Sequence, residues 1–407
     1  MNTFKKIFCR TFQKVMHVLI PVFPYREPAL LDGIGEIVKL LKKKNIERVL
    51  LVTDRGVRSL GLTTPLEKLL DENGISCTVY GGTMPNPTSD NVEEAHALYV
   101  SNGCQALIAF GGGSAMDCAK GIGARIARPN IPLKKMQGLI KICKSLPLFI
   151  AIPTTAGTGS ETTVAAVITD ATTHHKYVIN DFCLIPHYAV LAAEVTVGLP
   201  KHLTSTTGMD ALTHAVEAYI GKSTTKGTRA ASETAVKLIF ENLEKAYYNG
   251  ADLDARKNML HASYLAGTAF AKSYVGYVHA VAHSLGGKYG VPHGLANAVI
   301  LPHVLRAYGE AAHKPLASLA RITGLADNNT SDAQAAELFI SHIEGMNERM
   351  GIPTNLACIK KEDIPAMAVL ADKEANPLYP VPSLWDAEEL KALYLLVYDE
   401  SNDDKSW

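Results

Sequence analysis

Six side chains in the second half of the chain have the types and spacing for chemistry. Asp210 and His214 are four residues apart in Gly208-Met-Asp-Ala-Leu-Thr-His-Ala-Val-Glu-Ala-Tyr219. On a helix that spacing puts a carboxylate and an imidazole on one face. His279, His283, His293 and His303 follow, so four of the fourteen histidines fall within 25 residues. His279 and His283 again share helical spacing, and His293 stands in Val291-Pro-His-Gly294, which reads as a loop. A lone histidine on an apolar face is usually structural. A carboxylate–histidine helical pair with further histidines downstream suits a divalent metal ion. Spacing alone does not say which of His279, His283 and His293 are ligands, nor whether nitrogen and oxygen donors hold iron or zinc.

Two loops in the first half could carry phosphate. Gly111-Gly112-Gly113-Ser114-Ala115-Met116-Asp117 follows the apolar run 106–110 and precedes a helical stretch. Glycines allow close backbone approach, and a helix N-terminus offers unpaired N–H groups to an anion. The plainer alternative is a tight turn with Ser114 as N-cap and Asp117 completing a capping box. Pro153-Thr154-Thr155-Ala156-Gly157-Thr158-Gly159-Ser160-Glu161 follows the run 148–152. Its hydroxyls and glycines suit phosphate or ribose, or an ordinary loop. Asp54 closes the run 48–53, where an acid can accept from an adenosine ribose and repel a 2′-phosphate, or simply form a turn before Gly56.

These residues need a scaffold. Runs at 48–53, 106–110 and 148–152 read as buried strands, and 35–44, 57–73, 90–102 and 115–127 read as helices. Alternating strands and helices predict an α/β half with a mainly parallel sheet, whose ligands lie at the carboxyl ends of the strands. Beyond about residue 198 the strand-like runs vanish and helical periodicity takes over, so the expected organisation is an α/β domain over 1–198 and an all-α domain over 199–407. The length, 407 residues, agrees with two domains.

Composition narrows the partners. Forty acidic and forty basic residues balance, which gives no bulk field toward nucleic acid or an anionic membrane. Seven scattered cysteines without a CxxC pair read as reduced thiols in a cytoplasmic protein. No apolar run approaches the roughly 20 residues of a membrane span. At the N-terminus, Phe4, Ile7, Phe8, Phe12, Val15 and Met16 recur at helical spacing among Lys5, Lys6, Arg10 and Lys14. This basic amphipathic segment, residues 1–24, is expected to pack its apolar face on the rest of the protein, with Pro21 and Pro24 ending it. A presequence or a membrane-surface helix are the alternatives.

GGGSAMD, PTTAGTGSE, GMDALTHAVEAY and GYVHAVAHSLGGKYGVPHGLANAVILPH, in this order, resemble the iron-containing (group III) alcohol dehydrogenase family. The resemblance implies a Rossmann-like dinucleotide-binding domain followed by an all-helical metal-binding domain. It implies an oxidoreductase that moves a hydride between a metal-held alcohol and NAD, interconverting alcohol and aldehyde. Asp210, His214, His279 and His293 match the family's metal ligands, with Fe²⁺ ahead of Zn²⁺. His283 matches a histidine near the substrate and nicotinamide that could relay a proton. Asp54, Asn86, Gly112, Gly113, Ser114, Asp117, Thr154, Thr155, Thr158 and Lys176 match cofactor-contacting positions. A small alcohol or aldehyde is the expected substrate and a homo-oligomer, commonly a dimer, the expected assembly, with neither nucleic acid nor membrane as partner. Residues 1–24 extend beyond the family's shortest members, and Asn376-Pro377-Leu378 lacks the arginine that often follows Asn-Pro. A dehydroquinate synthase-like or glycerol dehydrogenase-like enzyme shares the two-half plan and is the alternative. A non-catalytic assembly protein is the rival of another class.

Overall fold

The computed structural model of the protein describes residues 1–19, 23–173 and 175–399. Two compact units emerge, Pro24–Leu199 and a second one made of Met1–Phe23 with Pro200–Trp407.

The first helix, α1 (Thr3–Leu19), belongs to the second unit. The first unit then runs β1 (Ala29–Leu31), α2 (Gly35–Lys43), β2 (Arg48–Asp54), α3 (Arg55–Ser59), α4 (Thr64–Asp71), β3 (Ser76–Thr83), α5 (Ser89–Ser101), β4 (Ala106–Gly111) and α6 (Gly113–Ala127). It continues with β5 (Gly138–Leu139), β6 (Leu148–Pro153), β7 (Ala165–Thr169), β8 (Lys176–Asn180) and β9 (Tyr188–Val190). Six strands form a parallel sheet in the order β1-β9-β6-β4-β2-β3. A smaller sheet, β5-β8-β7, holds the antiparallel pair β7 and β8.

The sheet is apolar on both faces because helices cover both. Leu50, Val52, Leu107, Ala109, Phe149 and Ala151 enter one core. Their neighbours Val49, Leu51, Ala106, Ile108, Ile150 and Ile152 enter the other. This alternation converts a continuous apolar run into a strand buried on both sides. Truncating one such side chain, Ile108→Ala for example, costs about 2–5 kcal/mol. The stretch 57–73, expected as one helix, is two. Gly61 adopts φ +67° between α3 and α4, a left-handed conformation that interrupts the helix.

The second unit is helical: α7 (Lys201–Ile220), α8 (Lys226–Tyr248), α9 (Leu253–Ser273), α10 (Tyr277–Tyr289), α11 (His293–Tyr308), α12 (Glu310–Ile322), α13 (Asp332–Arg349), α14 (Ile364–Ala375) and α15 (Ala387–Leu396). The middle of α7 is buried on every side, from Gly208 to Ile220. It is the spine of this unit.

The N-terminal segment departs from expectation twice. It was counted with the α/β half, yet it groups with the helical unit. Its apolar face is expected to be buried, yet Phe4, Ile7, Phe8 and Val15 are exposed and Phe12 and Met16 only half-buried, while Cys9 and Gln13 are buried. The reason is hydrogen bonding. Segment 377–382 presents backbone carbonyls that need donors. Arg10 donates to the Val381 and Pro382 carbonyls at 2.7 and 2.9 Å, and Gln13 to those of Tyr379 and Pro377 at 2.7 and 3.1 Å. Lys5 pairs with Asp372 at 2.8 Å. Pro21, one of the two expected stops, lies outside the described residues.

One acid-sensitive contact sits in the α/β unit. The Phe149 amide donates to Nδ1 of His187 at 3.1 Å, so the ring must be neutral at that atom. Burial, with Arg26 nearby, pushes the His187 pKa down to about 4. The unfolded value is about 6.5. The contribution to stability is therefore complete above about pH 6.5 and is lost as pH falls toward 4. His187→Asn offers an acceptor that does not titrate. Its melting temperature should fall several degrees less than that of the wild type between pH 7.5 and 4.5, measured by calorimetry. Equal falls would contradict the assignment.

Candidate metal centre and cofactor loops

Two helices and one helix start supply the candidate ligands. Asp210 and His214 lie one turn apart in buried α7, His279 in α10, and His293 at the first position of α11. Their donor atoms all lie within 4.8 Å of one another. His293 is thus not in a loop. Pro292 occupies the N-cap position and turns the chain directly into α11. Gly294 lets that helix start press on α7, since a Cβ there would sit 2.4 Å from the Thr206 carbonyl oxygen. His303, further along α11, stays out of the cluster.

Each ring is oriented by something the motif reading missed. Nδ1 of His279 meets the Glu217 carboxylate at 2.6 Å. Glu217 also accepts from the amides of Gly276 and Val278, both at 2.8 Å, and so caps the start of α10. Only glycine fits at 276, because a Cβ would come 2.6 Å from Glu217 Oε1. Burial pushes the Glu217 carboxyl upward, and the backbone amides of Gly276, Val278 and His279 oppose the rise. His214 stacks on Phe270 of α9 with ring centroids 4.1 Å apart. The Asn297 amide donates to Asp210 Oδ1 at 2.7 Å, and its nitrogen lies 3.2 and 3.1 Å from Nε2 of His279 and His293. The two Nε2 atoms therefore face one spot.

The electrostatics fit a cation. Burial, reinforced by the neighbouring imidazoles, drives the His279 pKa far down. His293 falls to about 4 through burial, against the pull of Asp210. Neutral imidazoles keep lone pairs for a metal, and metal binding requires that. Three imidazoles and a carboxylate are the borderline donors that hold Fe²⁺ or Zn²⁺. The residues present fit such an ion.

His283 lies apart from this donor set. Its Nδ1 meets Glu374 Oε1 of α14 at 2.6 Å, and Tyr379 donates to the same oxygen at 2.7 Å. Burial disfavours charge on the ring, but Glu374 outweighs it and the His283 pKa rises. The ring stacks on His293 at 5.1 Å.

In the α/β unit, Asp54 and the glycine and threonine loops lie at the carboxyl ends of β2, β4 and β6, which are adjacent in the sheet, while Asn86 and Lys176 lie beyond β3 and at the start of β8. Gly111 of β4 pairs with Pro153 of β6, which puts the two loops side by side. Gly112 and Gly113 lie so close to Thr155 and Thr158 that added Cβ atoms would come within 3.4 and 3.2 Å. The Thr154 amide donates to the Gly111 carbonyl at 3.1 Å. Asp54 caps α3 through the Val57 amide at 2.9 Å, and its other oxygen lies 3.4 Å from where a Gly111 Cβ would be. Ser114 is in the first turn of α6. The alternative of a Ser114–Asp117 capping box does not form, because Gly112 is the N-cap. Asp117 instead accepts from Ser160 Oγ and the Val167 amide, both at 3.1 Å. Beyond β3, Asn86 stands at φ +59° and accepts from Lys176 at 2.8 Å.

Fully buried Lys120 was also missed. Its ammonium donates to Ser160 Oγ, Thr163 Oγ1 and the Ala165 carbonyl at 3.2, 2.7 and 2.8 Å, which fastens the threonine loop to α6. Burial lowers its pKa to about 8. Glu217 and Asn297 carried a readable signal, being seven residues after Asp210 and four after His293. Glu374 and Lys120 carried none.

Comparison with known proteins agrees with this geometry. Residues 31–193 match the family described as iron-containing alcohol dehydrogenase, and residues 204–398 match the Fe-containing alcohol dehydrogenase family, C-terminal. The 1,3-propanediol dehydrogenase of Klebsiella pneumoniae is 38% identical over 385 residues, covering 94% of this chain and 98% of that one. The NAD-dependent methanol dehydrogenase of Bacillus methanolicus is 38% identical over 346 residues, covering 84% and 91%. A solved 1,3-propanediol oxidoreductase superposes with a TM-score of 0.88 at 37% identity, covering 92% of this chain and all of its own.

The Glu217–His279 contact has a measurable consequence. Glu217→Ala leaves Nδ1 of His279 and two amides of α10 without their acceptor. Zn²⁺ titration of the chelator-stripped variant should show about 10–100-fold weaker binding. Glu217→Gln, which keeps the shape and one acceptor oxygen, should lose less. Wild-type affinity in Glu217→Ala would contradict the role.

Proposed function

The chain belongs to the iron-containing alcohol dehydrogenase family, and on that premise we propose that it interconverts a short alcohol and its aldehyde with NAD as hydride partner. The observation that carries the proposal is the convergence of Asp210, His214, His279 and His293 with neutral, buried or half-buried imidazoles. An ion held there, Fe²⁺ by preference and Zn²⁺ otherwise, supplies a Lewis acid that eases loss of a hydroxyl proton. The chain's own residues do the rest. Asp210 supplies the negative charge of the set and is held by Asn297. Glu217 fixes His279 with its proton on Nδ1 and its lone pair on Nε2.

His283 is the acid–base residue of the proposal. Glu374 engages its Nδ1, so Nε2 is the atom that takes the alcohol's proton or returns it to the aldehyde. Tyr379, by donating to Glu374, keeps that carboxylate in place.

For the cofactor, the backbone at Gly112, Gly113 and Ser114 offers N–H groups at the start of α6 to the pyrophosphate. Thr154, Thr155 and Thr158 line the neighbouring loop. Asn86 and Lys176 hold each other beyond β3, and Asp54 stands where a 2′-phosphate would be repelled. Asp117 acts indirectly, because its carboxylate is engaged by Ser160 and Val167.

The relatives' names support short primary alcohols or diols as the substrate class. The cysteines are all free thiols, which supports a reducing, cytoplasmic setting. A homo-oligomer, with a dimer as its simplest form, is the assembly proposed from the resemblance.

A screen of short aldehydes with NADH and added Fe²⁺ or Zn²⁺ tests the proposal; aldehyde-dependent loss of NADH absorbance is the expected result. Wild-type enzyme should prefer NAD over NADP at least about tenfold, roughly 1.4 kcal/mol. Asp54→Gly should narrow that gap, and equal use of NADP by the wild type would overturn the role of Asp54. His283→Ala should keep its metal and its NAD affinity while turnover falls about 10²–10⁴-fold. Loss of metal from that variant, with retention in His279→Ala, would reverse the two assignments.

A further inference from the structure

Helix α1 turns toward solvent the face that its sequence makes apolar. Phe4, Ile7, Phe8, Val15 and Val18 are all exposed, Phe4 at 84% and Val18 at 66%. Their spacing places them on one stripe of a helix about 25 Å long. The helix is not free to roll that stripe inward. Arg10 and Gln13 fasten the opposite side to four backbone carbonyls of segment 377–382, and Cys9 is buried beside them. Lys5 and the terminal amine add ion pairs to Asp372 and Glu389. An anchored helix with an outward apolar stripe marks an interaction surface.

Charge selects the occupant. Helix α1 contains no acidic residue, and with Lys5 and Arg10 engaged by Asp372 and the 381–382 carbonyls its available cations are Lys6 and Lys14. Lys6 and Lys14 are exposed, with Lys14 at the edge of the stripe. Two copies of α1 meeting on this face would bring together two basic helices that contain no acidic residue. An anionic lipid surface would instead complement the charge and accept the apolar side chains. No helix among the described residues is long and apolar enough to cross a membrane, so attachment would lie in the plane of the interface. We propose that α1 docks the protein on an anionic membrane surface, with Phe4, Ile7, Phe8, Val15 and Val18 seated at the boundary between headgroups and acyl chains. Neither the metal donors nor the cofactor loops take part, so this inference stands apart from the alcohol dehydrogenase reading.

Co-sedimentation of the full-length, metal-loaded protein with vesicles tests it. Binding to phosphatidylcholine vesicles containing about 30% phosphatidylglycerol should exceed binding to pure phosphatidylcholine at least about tenfold, and should weaken as salt rises. The double variant Phe4→Ser/Phe8→Ser should bind at least about tenfold less, with unchanged turnover and melting temperature. Lys6→Glu/Lys14→Glu should lose a similar factor. Equal binding to the two vesicle types, no binding to either, or undiminished binding by the phenylalanine variant would each overturn the proposal. So would a change of oligomeric state in Phe4→Ser/Phe8→Ser by size-exclusion chromatography with light scattering, which would assign the stripe to a second copy of the chain.

Discussion

One buried carboxylate, that of Glu217, organises the helical unit. It sits on α7, accepts two amides at the start of α10, and holds Nδ1 of His279. A carboxylate taken out of water is costly unless its oxygens are satisfied, and here the start of a helix and an imidazole satisfy them. The same contacts fix how α10 begins against α7 and which nitrogen of His279 keeps a lone pair. Asp210, His214 and Glu217 fall at i, i+4 and i+7 on one helix, so a single rigid element carries two candidate metal donors and the clamp on a third.

The pairing also explains how two histidines four residues apart on α10 come to differ. His279 is buried among imidazoles, which keeps it neutral. His283, whose side chain is partly exposed, is paired with Glu374 of α14, which draws its pKa upward. Identical side chains on one helical face thus receive opposite electrostatics, one from burial among imidazoles and the other from a carboxylate. The proposed division of labour between binding a cation and moving a proton follows from those surroundings, not from the histidines themselves.

Much of this was legible because it is local. The i, i+4 spacing of Asp210 and His214 needs only a helix. Three apolar runs gave three central strands, and two Gly/Thr-rich loops at adjacent strand ends came together as β4 and β6 paired. What escaped depends on contacts distant in sequence. Glu374 lies 91 residues from His283. The orientation of α1 depends on carbonyls more than 360 residues away, which outcompete the burial of phenylalanines that hydrophobic spacing leads one to expect. Strands β7 and β8 each bury only alternate residues, so neither produces the continuous apolar run that marked the central strands. The partner of Asp117 was hidden in the same way, since it accepts from Ser160, 43 residues on.

The central claim is that one divalent ion is held by three imidazoles and one carboxylate. X-ray absorption at the metal edge of the Fe²⁺- or Zn²⁺-loaded protein tests it most directly. The account predicts a shell of nitrogen and oxygen at about 2.0–2.2 Å, with the outer scattering of three imidazole rings. A shell containing sulfur, or one of water oxygens without imidazole scattering, would contradict it.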